Sequence, residues 1–552
     1  MNKKVLSLFG SLILLSSCSS FEVSESNLDL SKRDFTSKNG MVVSANPIAS
    51  KMGLEILKKG GNAVDAAVGV AFTLGLVEPN ASGPGGGGFM LLKEGKNVAF
   101  YDYYNRAPLN MTQEEWLKLK KNKEFTKNGS GCIVPGAVAG WLTALEEHGT
   151  MEIDEILEPI IKLAEEGFKV TPTLANMFQD NYDKITLTEA GAKTFLKDGF
   201  PYMTGEVFKN LYYANTLKLI AKNGKDGFYK GSVADAIVKA NPYITHEDLE
   251  TYTPLKANPV VGEYRGYDII TAGPSSAGVA IVQMLNMVEN YNLKELGLDN
   301  PDLYHLWAES MNIANIDRYT YIGDVTFEKD YTAELSSQEF ADKRVKTIDM
   351  NKARGKVKAA DLVNDHGSTT HVSIVDKDGN AVSMTNTIGN FFGYGISPEG
   401  TGFMMNSHSS LFSSPAQYPI NEFEPGKRPR STMSPTIVLD ENDNVFLVVG
   451  TPGGSRILTT IPLIISNIID HGMDVQEAID YPRIEKNGGK LAIEGGIAEE
   501  IIEDLKERGH KVIEKENNDL YFGGAHVIEV NHENNVLIGG ADKRRDGKAL
   551  GY

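Results

Sequence analysis

Hydrophobic positions near the start of the chain follow a helical spacing. Met52, Ile56 and Leu57 lie on one face of a segment, and a glycine pair at residues 60–61 ends it. The chain continues with "NAVDAAVGVAFTLGLVEP", which is apolar on nearly every side and is typical of a helix buried in a core. An acidic residue and several small ones in this segment argue against a membrane span. A glycine-rich stretch, "SGPGGGGFMLL", then leads into a predicted strand.

The middle of the chain is mostly helical by pattern. Residues 150–260 and 300–350 are predicted to form helices. Between them, the pattern predicts a strand and a Pro/Ser/Gly loop in "GYDIITAGPSSAG", followed by a helix in "VAIVQMLNMVENY". Residues 351–368 carry few apolar side chains, which predicts an exposed linker.

Alternating patterns dominate after this linker. We predict half-buried strands in "HVSIVD" and "AVSMTNT", joined by a turn at residues 378–380. A second hairpin is predicted from "TIVLD" and "VFLVVG", and a helix begins near Arg456. The sequence thus predicts a helix-rich first two thirds, a linker and a strand-rich last third.

Composition and charge narrow the class of protein. The chain has 552 residues, of which 41% are hydrophobic and 23% charged, as expected for a large soluble globular protein. The net charge of -18 argues against nucleic acid as a partner and against adhesion to anionic lipid through basic patches.

The first residues have the features of a targeting segment. A lysine pair precedes a short apolar run and small residues, which predicts a secretory signal peptide over residues 1–17. Its end resembles the lipobox of bacterial lipoproteins, so Cys18 is the predicted lipidation site; the alternative is an ordinary signal peptide with an incidental cysteine. Residues 18–40 are then a polar tether, and the protein is expected to be secreted across the inner membrane and lipid-anchored at the cell envelope, periplasmic or at the cell surface. Cys132 would be the one remaining cysteine, with burial as its default role.

Two loops resemble ligand-binding motifs, but one has the wrong structural context and the other lacks required residues. The glycine run at residues 83–88 fits G-x-G-x-x-G, but it follows a helix and precedes a strand, the reverse of the dinucleotide-binding order. Close packing around the strand start is the better interpretation. The acidic "LDENDNVF" lacks the glycine and final glutamate of a calcium loop, which favours a hairpin turn. The histidines show no metal-ligand spacing, so no metal and no cofactor are expected.

The turn after "VFLVVG" has two possible roles. Gly453 and Gly454 precede a predicted helix, and two adjacent backbone N–H groups at such a position can stabilise an oxyanion. A plain strand-to-helix turn needs the same residues. By themselves the residues leave the two roles open.

Thr369, at the start of a predicted strand, is a candidate nucleophile. A threonine hydroxyl needs a base, and His371 lies two residues on, where side chains share a face without being placed for proton transfer. Alternatively, the Ser368–Thr369 bond breaks, and the released α-amino group of Thr369 serves as the base. An exposed linker before the strand suits such a scission.

Several long motifs resemble one family throughout residues 40–552. They include "KKGGNAVDAAV", "GPGGGGFML", "GSTTHVSIVDKDGNAVSMTNT", "KRPRSTMSPTIV", "GTPGGSRI" and "GADKRRDGKALGY", and they are similar to segments of γ-glutamyltransferases, which include glutathione hydrolases. The resemblance implies an N-terminal nucleophile hydrolase with an αββα sandwich. It also implies self-cleavage before Thr369 into two intertwined subunits, a large one of residues 41–368 and a small one of residues 369–552.

The resemblance also assigns roles to residues. It implies that Thr369 attacks a γ-glutamyl carbonyl, that Thr387 supports the new N-terminus, and that Gly453 and Gly454 form the oxyanion hole. The γ-glutamyl group would then pass from the enzyme to water or to an amine, without a cofactor.

This sequence departs from the family where the substrate's α-amino acid end is bound. Family members carry an arginine in D-x-R-E-x-A-P, whereas "DYYNRAP" has Tyr104 at that place and Arg106 two residues later. Gly389 and Leu411 stand where the family has polar groups that hold the α-amino group. Residues 411–428 also form a shorter segment than the one that covers the site in some members, so we expect a more open cleft.

Other candidates for substrate binding are retained. Ser431 and Thr432 match the family's hydroxyl pair. Arg456, Arg544 and Arg545 could hold a substrate carboxylate through charge-assisted hydrogen bonds.

The departures are similar to the branch of the family that depolymerises poly-γ-glutamate capsules. Glutathione and other γ-glutamyl compounds therefore compete with poly-γ-glutamate as the expected substrate. An inactive, binding-only surface lipoprotein is the hypothesis from another class, and an amidase acting on another acyl group is the third.

Overall fold

The structure is a computed structural model that describes residues 29–355 and 367–552. The predicted signal peptide, Cys18 and most of the predicted linker lie outside the described residues. Cys132 is fully buried, as its default role predicts.

Nineteen strands and twenty α-helices are numbered here in chain order within the described residues. The strands are β1 Phe35–Ser37, β2 Met41–Ser44, β3 Gly87–Glu94, β4 Asn97–Asp102, β5 Phe168–Lys169, β6 Val207–Phe208, β7 Leu255–Ala257, β8 Val260–Tyr264, β9 Tyr267–Thr271, β10 Gly367–Val375, β11 Ala381–Asn390, β12 Thr436–Leu439, β13 Val445–Gly450, β14 Ile484–Asn487, β15 Lys490–Ile493, β16 Val512–Glu514, β17 His526–Asn531, β18 Val536–Ala541 and β19 Lys548–Gly551. The helices are α1 Pro47–Lys58, α2 Ala63–Val77, α3 Gln113–Asn122, α4 Ala137–His148, α5 Ile153–Glu166, α6 Pro172–Asp180, α7 Tyr182–Ile185, α8 Glu189–Phe195, α9 Leu211–Asn223, α10 Asp226–Tyr229, α11 Gly231–Lys239, α12 His246–Glu250, α13 Val279–Val288, α14 Leu293–Leu296, α15 Pro301–Tyr321, α16 Thr332–Leu335, α17 Gln338–Val345, α18 Arg456–Ile469, α19 Val475–Asp480 and α20 Glu499–Glu507.

Two seven-stranded antiparallel sheets pack face to face. Sheet 1 has the order β19-β2-β10-β11-β3-β4-β7, and sheet 2 has the order β1-β18-β17-β13-β12-β9-β8. Strands β10 and β11 of sheet 1 contact β13 of sheet 2. Helix α2 covers the outer face of sheet 1, and α13, α18 and α19 cover that of sheet 2. The predicted αββα sandwich is therefore confirmed.

Both sheets mix strands from before and after the predicted cut. In sheet 1, β10 lies between β2 and β11; in sheet 2, β12 pairs with β9. The expected division into a helix-rich and a strand-rich part is confirmed for the described residues, since seventeen of the twenty helices precede Thr369 and three follow it; the first part nevertheless supplies seven of the fourteen strands of these two sheets. Two of these seven, β3 and β9, are among the predicted strands; the other five have three to six residues each, too few for a clear alternating pattern.

Local signals fix the first two helices. The side chain of Asn46 accepts a hydrogen bond from the Ile48 N–H and caps α1. Asn62 and Asp65 form a reciprocal capping box at the start of α2, whose residues are all buried. Both predicted helices are thus confirmed, and α1 begins at Pro47, five residues before the first apolar residue of the predicted face.

The glycine run packs against the strand that carries Thr387. A Cβ on Gly86 would lie 2.2 Å from the Thr387 carbonyl oxygen, and one on Gly88 would lie 2.3 Å from the Thr385 carbonyl oxygen. Such distances exclude any side chain. The interpretation as close packing around a strand start is confirmed.

The predicted tether extends too far along the chain. Strand β1 pairs with β18, and Nη1 of Arg33 donates hydrogen bonds to the carbonyls of Asp542, Arg545 and Gly547. Residues 33–40 therefore belong to the folded body. Their polar composition predicted a tether instead, and the residues that they contact lie some 500 positions away in the sequence. None of the helices in the described ranges has the length and apolar character needed to span a bilayer.

We expect Gly86→Ala to impair the site, because its Cβ would displace the Thr387 backbone or strain the loop. Overpacking of this kind costs about 1–3 kcal/mol, and a shift of about 1 Å slows a positioned reaction up to about 100-fold. Gel electrophoresis of the purified chain would show slower conversion to two fragments. Gly95→Asn is the control, because Gly95 faces open space in a left-handed turn that asparagine tolerates. Normal processing of Gly86→Ala would contradict the prediction.

Candidate active site

Thr369 lies at an irregularity in the centre of sheet 1. Ser368 pairs with Gly389 and Thr370 with Asn386, so one residue of β10 faces two residues of β11. This β-bulge turns the β11 backbone locally and brings the side chain of Thr387 towards Thr369. Thr369 and Thr387 are both 4% exposed.

The Thr387 hydroxyl connects the predicted nucleophile to the predicted scissile bond. It donates a hydrogen bond to the Ser368 carbonyl oxygen and accepts one from Thr369 Oγ1 at 3.2 Å. It also accepts a hydrogen bond from the Gly389 N–H at 2.9 Å. A donor on the Ser368 carbonyl favours negative charge on that oxygen as a nucleophile adds to the carbonyl carbon.

This geometry suits an intramolecular acyl shift. Attack by Thr369 Oγ1 on the Ser368 carbonyl carbon would form an ester and break the Ser368–Thr369 C–N bond. Breaking the C–N bond frees the α-amino group of Thr369, and hydrolysis of the ester by water then frees its hydroxyl and leaves Ser368 with a carboxylate.

His371 is engaged elsewhere. Its Nδ1 is 2.8 Å from Thr385 Oγ1, and its Nε2 is 3.1 Å from Ser373 Oγ. Burial and the neighbouring His526 hold the pKa of His371 well below its usual value. In the part of the chain that the structure describes, Thr369 Oγ1 has Thr387 Oγ1 as its hydrogen-bond partner. The local sequence argument against a His371 base is therefore supported.

Arg545 holds the backbone of the nucleophile. Its Nη1 donates to the Thr369 carbonyl at 2.8 Å and lies 3.4 Å from a carboxylate oxygen of Glu78. Burial raises the pKa of Glu78, although the charge of Arg545 opposes this, and burial lowers the pKa of Arg545. The carbonyl contact places Arg545 at the nucleophile through the main chain rather than through a substrate.

The glycine turn lies beside the same cavity. Gly453 and Gly454 have φ values of +132° and +61° between β13 and α18, a region that favours glycine. Thr432 Oγ1 donates to the Gly454 carbonyl at 2.9 Å, which fixes the turn. The arrangement suits an oxyanion hole, and that role remains a prediction.

One pocket brings most of the predicted site together. It is lined by Thr369, Thr387, Tyr104, Gly389, Leu411, Ser431, Thr432 and Gly454. Residues 411–413 and Gln417 also line it, so the segment expected to leave the cleft open still forms part of its wall. Tyr104 is almost fully buried, with its ring 5.4 Å from that of Phe89 and 4.7 Å from that of His408.

Three predicted arginines point elsewhere. Arg106 donates to the Asp248 carbonyl and Thr251, and Arg456 donates to the Tyr521 carbonyl and lies over the Tyr521 ring. The fully buried guanidinium of Arg544 lies 2.5 Å from Glu494 and 3.1 Å from Asp542. None of the three lines the pocket. The Arg544 contacts indicate a structural role, because the N–H groups of its guanidinium donate to groups within the protein.

Three cationic residues of the pocket were not among the site residues predicted from the sequence. Lys120, Arg318 and Arg430 line it together with Tyr319. Arg430 immediately precedes the hydroxyl pair at 431–432, which was an available signal. Arg318 and Lys120 lie on helices far away in sequence, where no local pattern marks them. Among the described residues, no group of three or more His, Cys, Asp or Glu side chains could hold a metal ion.

These features define an N-terminal nucleophile hydrolase: an αββα sandwich with a buried threonine near the start of a central strand, beside a β-bulge. Comparison with known proteins narrows the class. Residues 49–552 match the family described as Gamma-glutamyltranspeptidase, and the chain belongs to that family.

The similarity to known proteins extends over nearly the whole chain. The glutathione hydrolase proenzyme of Escherichia coli (strain K12) is 36% identical over 540 residues, 93% of this chain and 92% of that protein. The capsule biosynthesis protein CapD proenzyme of Bacillus anthracis is 35% identical over 514 residues, 92% of this chain and 89% of that protein. The crystal structure of cephalosporin acylase from Bacillus halodurans has a TM-score of 0.86 at 30% identity and covers 98% of this chain and 99% of that chain. The chain is thus an autoprocessing enzyme precursor that yields two subunits.

Thr369→Ala should remain a single uncut chain without activity, because the attacking hydroxyl is gone. Intact mass spectrometry would show one chain in place of two fragments. Thr370→Ala is the matched control: it removes the next hydroxyl, which lies on the opposite face of β10, and it should be cut. A cut and active Thr369→Ala variant would remove Thr369 from the mechanism.

Arg544→Met should lower the free energy of unfolding by about 3–5 kcal/mol, because it leaves the buried Glu494 carboxylate unpaired. The urea midpoint of the processed protein measures this. Lys239→Met, which removes an exposed pair with Glu399, should leave the midpoint unchanged. A raised KM with unchanged stability would instead give Arg544 a role in substrate binding.

Proposed function

We propose that the processed protein cleaves γ-glutamyl amide bonds through a γ-glutamyl ester on Thr369. The observation that carries this proposal is the contact of Thr387 with both Thr369 Oγ1 and the Ser368 carbonyl. This contact joins Thr369 Oγ1, the Ser368 carbonyl and the Thr387 hydroxyl in one hydrogen-bonded group, which supports their proposed roles.

In the acylation step, the free α-amino group of Thr369 takes the proton from Oγ1 while Oγ1 bonds to the γ-carbonyl carbon. The unperturbed pKa of an α-amino group is about 8, so a useful fraction is unprotonated near neutral pH. Backbone N–H groups of Gly453 and Gly454 stabilise the oxyanion. The amide C–N bond then breaks, and the leaving amine takes the proton.

In the deacylation step, water or an acceptor amine attacks the ester and passes a proton to the same α-amino group, which returns it to Oγ1 as the Oγ1–C bond breaks. Water releases glutamate, and an amine yields a new γ-glutamyl amide. The hydrogen bond from Arg545 to the Thr369 carbonyl keeps the new N-terminus in place throughout.

Glutathione and related γ-glutamyl compounds are the first proposed substrates. The similarity to a glutathione hydrolase proenzyme over 92% of its length supports this. Poly-γ-glutamate is the second candidate. It is favoured by Tyr104, Gly389 and Leu411, which line the pocket in place of the groups that hold a free amino acid end in the family.

We also propose that the protein is secreted and anchored to the cell envelope through a lipid on Cys18. The charged start, the apolar run and the cysteine after it support this. An enzyme at the envelope would meet either substrate outside the cytoplasm.

Side-by-side digestion of glutathione and a poly-γ-glutamate oligomer tests the proposal, with products followed by mass spectrometry. We expect the processed enzyme to cleave at least one of them and the Thr369→Ala precursor to cleave neither. Cleavage of the oligomer alone would select the polymer. Failure on both by a fully processed enzyme would contradict the proposal and favour another acyl group, as the name of the cephalosporin acylase relative suggests.

A further inference from the structure

The charges around the pocket are unbalanced. Lys120, Arg318 and Arg430 line it, and the described lining residues include no Asp or Glu. His408, also in the wall, adds no positive charge near neutral pH, because burial lowers its pKa to about 3. A pocket with this lining attracts anionic ligands and disfavours a free ammonium group.

Arg318 and Arg430 share one aromatic partner. The guanidinium carbon of Arg318 lies 4.3 Å from the centroid of the Tyr319 ring, and that of Arg430 lies 4.6 Å from it. Tyr319 in turn stacks on Tyr418 with ring centroids 5.2 Å apart. The two like charges are therefore held close together at the C-terminal end of α15.

Both guanidinium groups retain unused hydrogen-bond donors. Nη1 of Arg430 donates to the carbonyls of Arg318, Tyr319 and Ile322, at 3.2–3.4 Å. Among the described residues, none accepts a hydrogen bond from the Arg318 guanidinium, whose Nε is buried without a partner. Arg318 and Arg430 are 4% and 8% exposed, so water can replace few of these bonds.

Most other buried arginines of this protein are neutralised by a carboxylate. Four of them lie within 4 Å of one, as pairs Arg428–Asp102, Arg483–Asp542, Arg544–Glu494 and Arg545–Glu78. Within the described ranges, no carboxylate lies within that distance of Arg318 or Arg430. Contact with a ring offsets only part of the cost of burying a charge. Burial, together with the charge of Arg318, lowers the pKa of Arg430 to about 9, and an anion between the two would relieve this repulsion.

The arginine pair adjoins the part of the wall that reaches the surface, because the guanidinium carbon of Arg430 lies 5.8 Å from the ring centroid of half-buried Tyr418, which follows exposed Gln417 in the chain. Leu411 and Gln417, which line the same pocket, are exposed, whereas Thr369 and Thr387 are buried. A substrate whose reacting carbonyl is at Thr369 must extend its leaving portion towards that opening. We propose that Arg318 and Arg430 form a subsite for a carboxylate on the unit that leaves from the γ-glutamyl group. This subsite rests on the proposed function, and it selects acidic γ-glutamyl peptides over neutral amides.

A pair of substrates that differ by one charge tests this subsite. The processed enzyme is given γ-glutamyl-alanine and γ-glutamyl-alanine amide, and kcat/KM is measured for each by mass spectrometry. Wild type should prefer the acid by at least about 10-fold, the effect of one charge-assisted hydrogen bond. Arg318→Gln should lose about 10- to 100-fold on the acid and change little on the amide. Arg318→Lys, which retains the charge, should recover part of the preference.

The outcomes separate the two proposals. Equal losses on both substrates in Arg318→Gln would overturn the subsite and point to the transferred glutamyl unit. Equal kcat/KM for both substrates in wild type would overturn it as well, and this comparison needs no variant if Arg318→Gln fails to process. Cleavage of neither substrate by fully processed wild type would overturn the proposed function together with the subsite.

Discussion

The Thr387 hydroxyl is the contact on which the rest of the site depends. It donates to the carbonyl of the bond to be cut and accepts from the side chain that would cut it. A β-bulge in the middle of sheet 1 makes this possible, because regular pairing would not place two residues of β11 opposite Thr369. The side-chain-free glycine run keeps β3 close enough to hold that bulge in place.

The sheet order explains how such a protein remains whole after its chain is cut. Strand β10 is hydrogen-bonded on both edges, to β2 from the first part of the chain and to β11 from the last. Arg545 joins the C-terminal part to the Thr369 carbonyl, and Arg33 holds the turn that carries Arg545. Separation of the two parts would expose the apolar core to water and leave the backbone groups at the sheet edges unpaired. Both changes are unfavourable, so the two parts stay together.

The positive charge of the pocket comes from elements outside the predicted arginine motif. Tyr104, which the motif comparison predicts at the family's arginine position, is buried and packs on Phe89 and His408. Positive charge enters instead from Arg318 on α15 and from Arg430 beside the hydroxyl pair. The pocket is thus cationic, with its positive charge supplied by residues outside the "DYYNRAP" motif. An alignment of that motif alone therefore does not describe the charge that a substrate meets.

Sequence alone determined the nucleophile candidate, the helices with strong caps, and, through long family motifs, the αββα class. These features are encoded locally, in capping residues at 46 and 62, alternation around 371–387 and glycines that exclude side chains. The burial of residues 33–40, the strands of the first part other than β3 and β9, and the cations at 120, 318 and 430 were not predictable in this way. Each depends on partners far apart in the chain, whose proximity arises only when the two sheets close on each other. The same distance explains why Arg544 resembled a substrate ligand in its motif, whereas its fully buried partners, Glu494 and Asp542, make it part of the core.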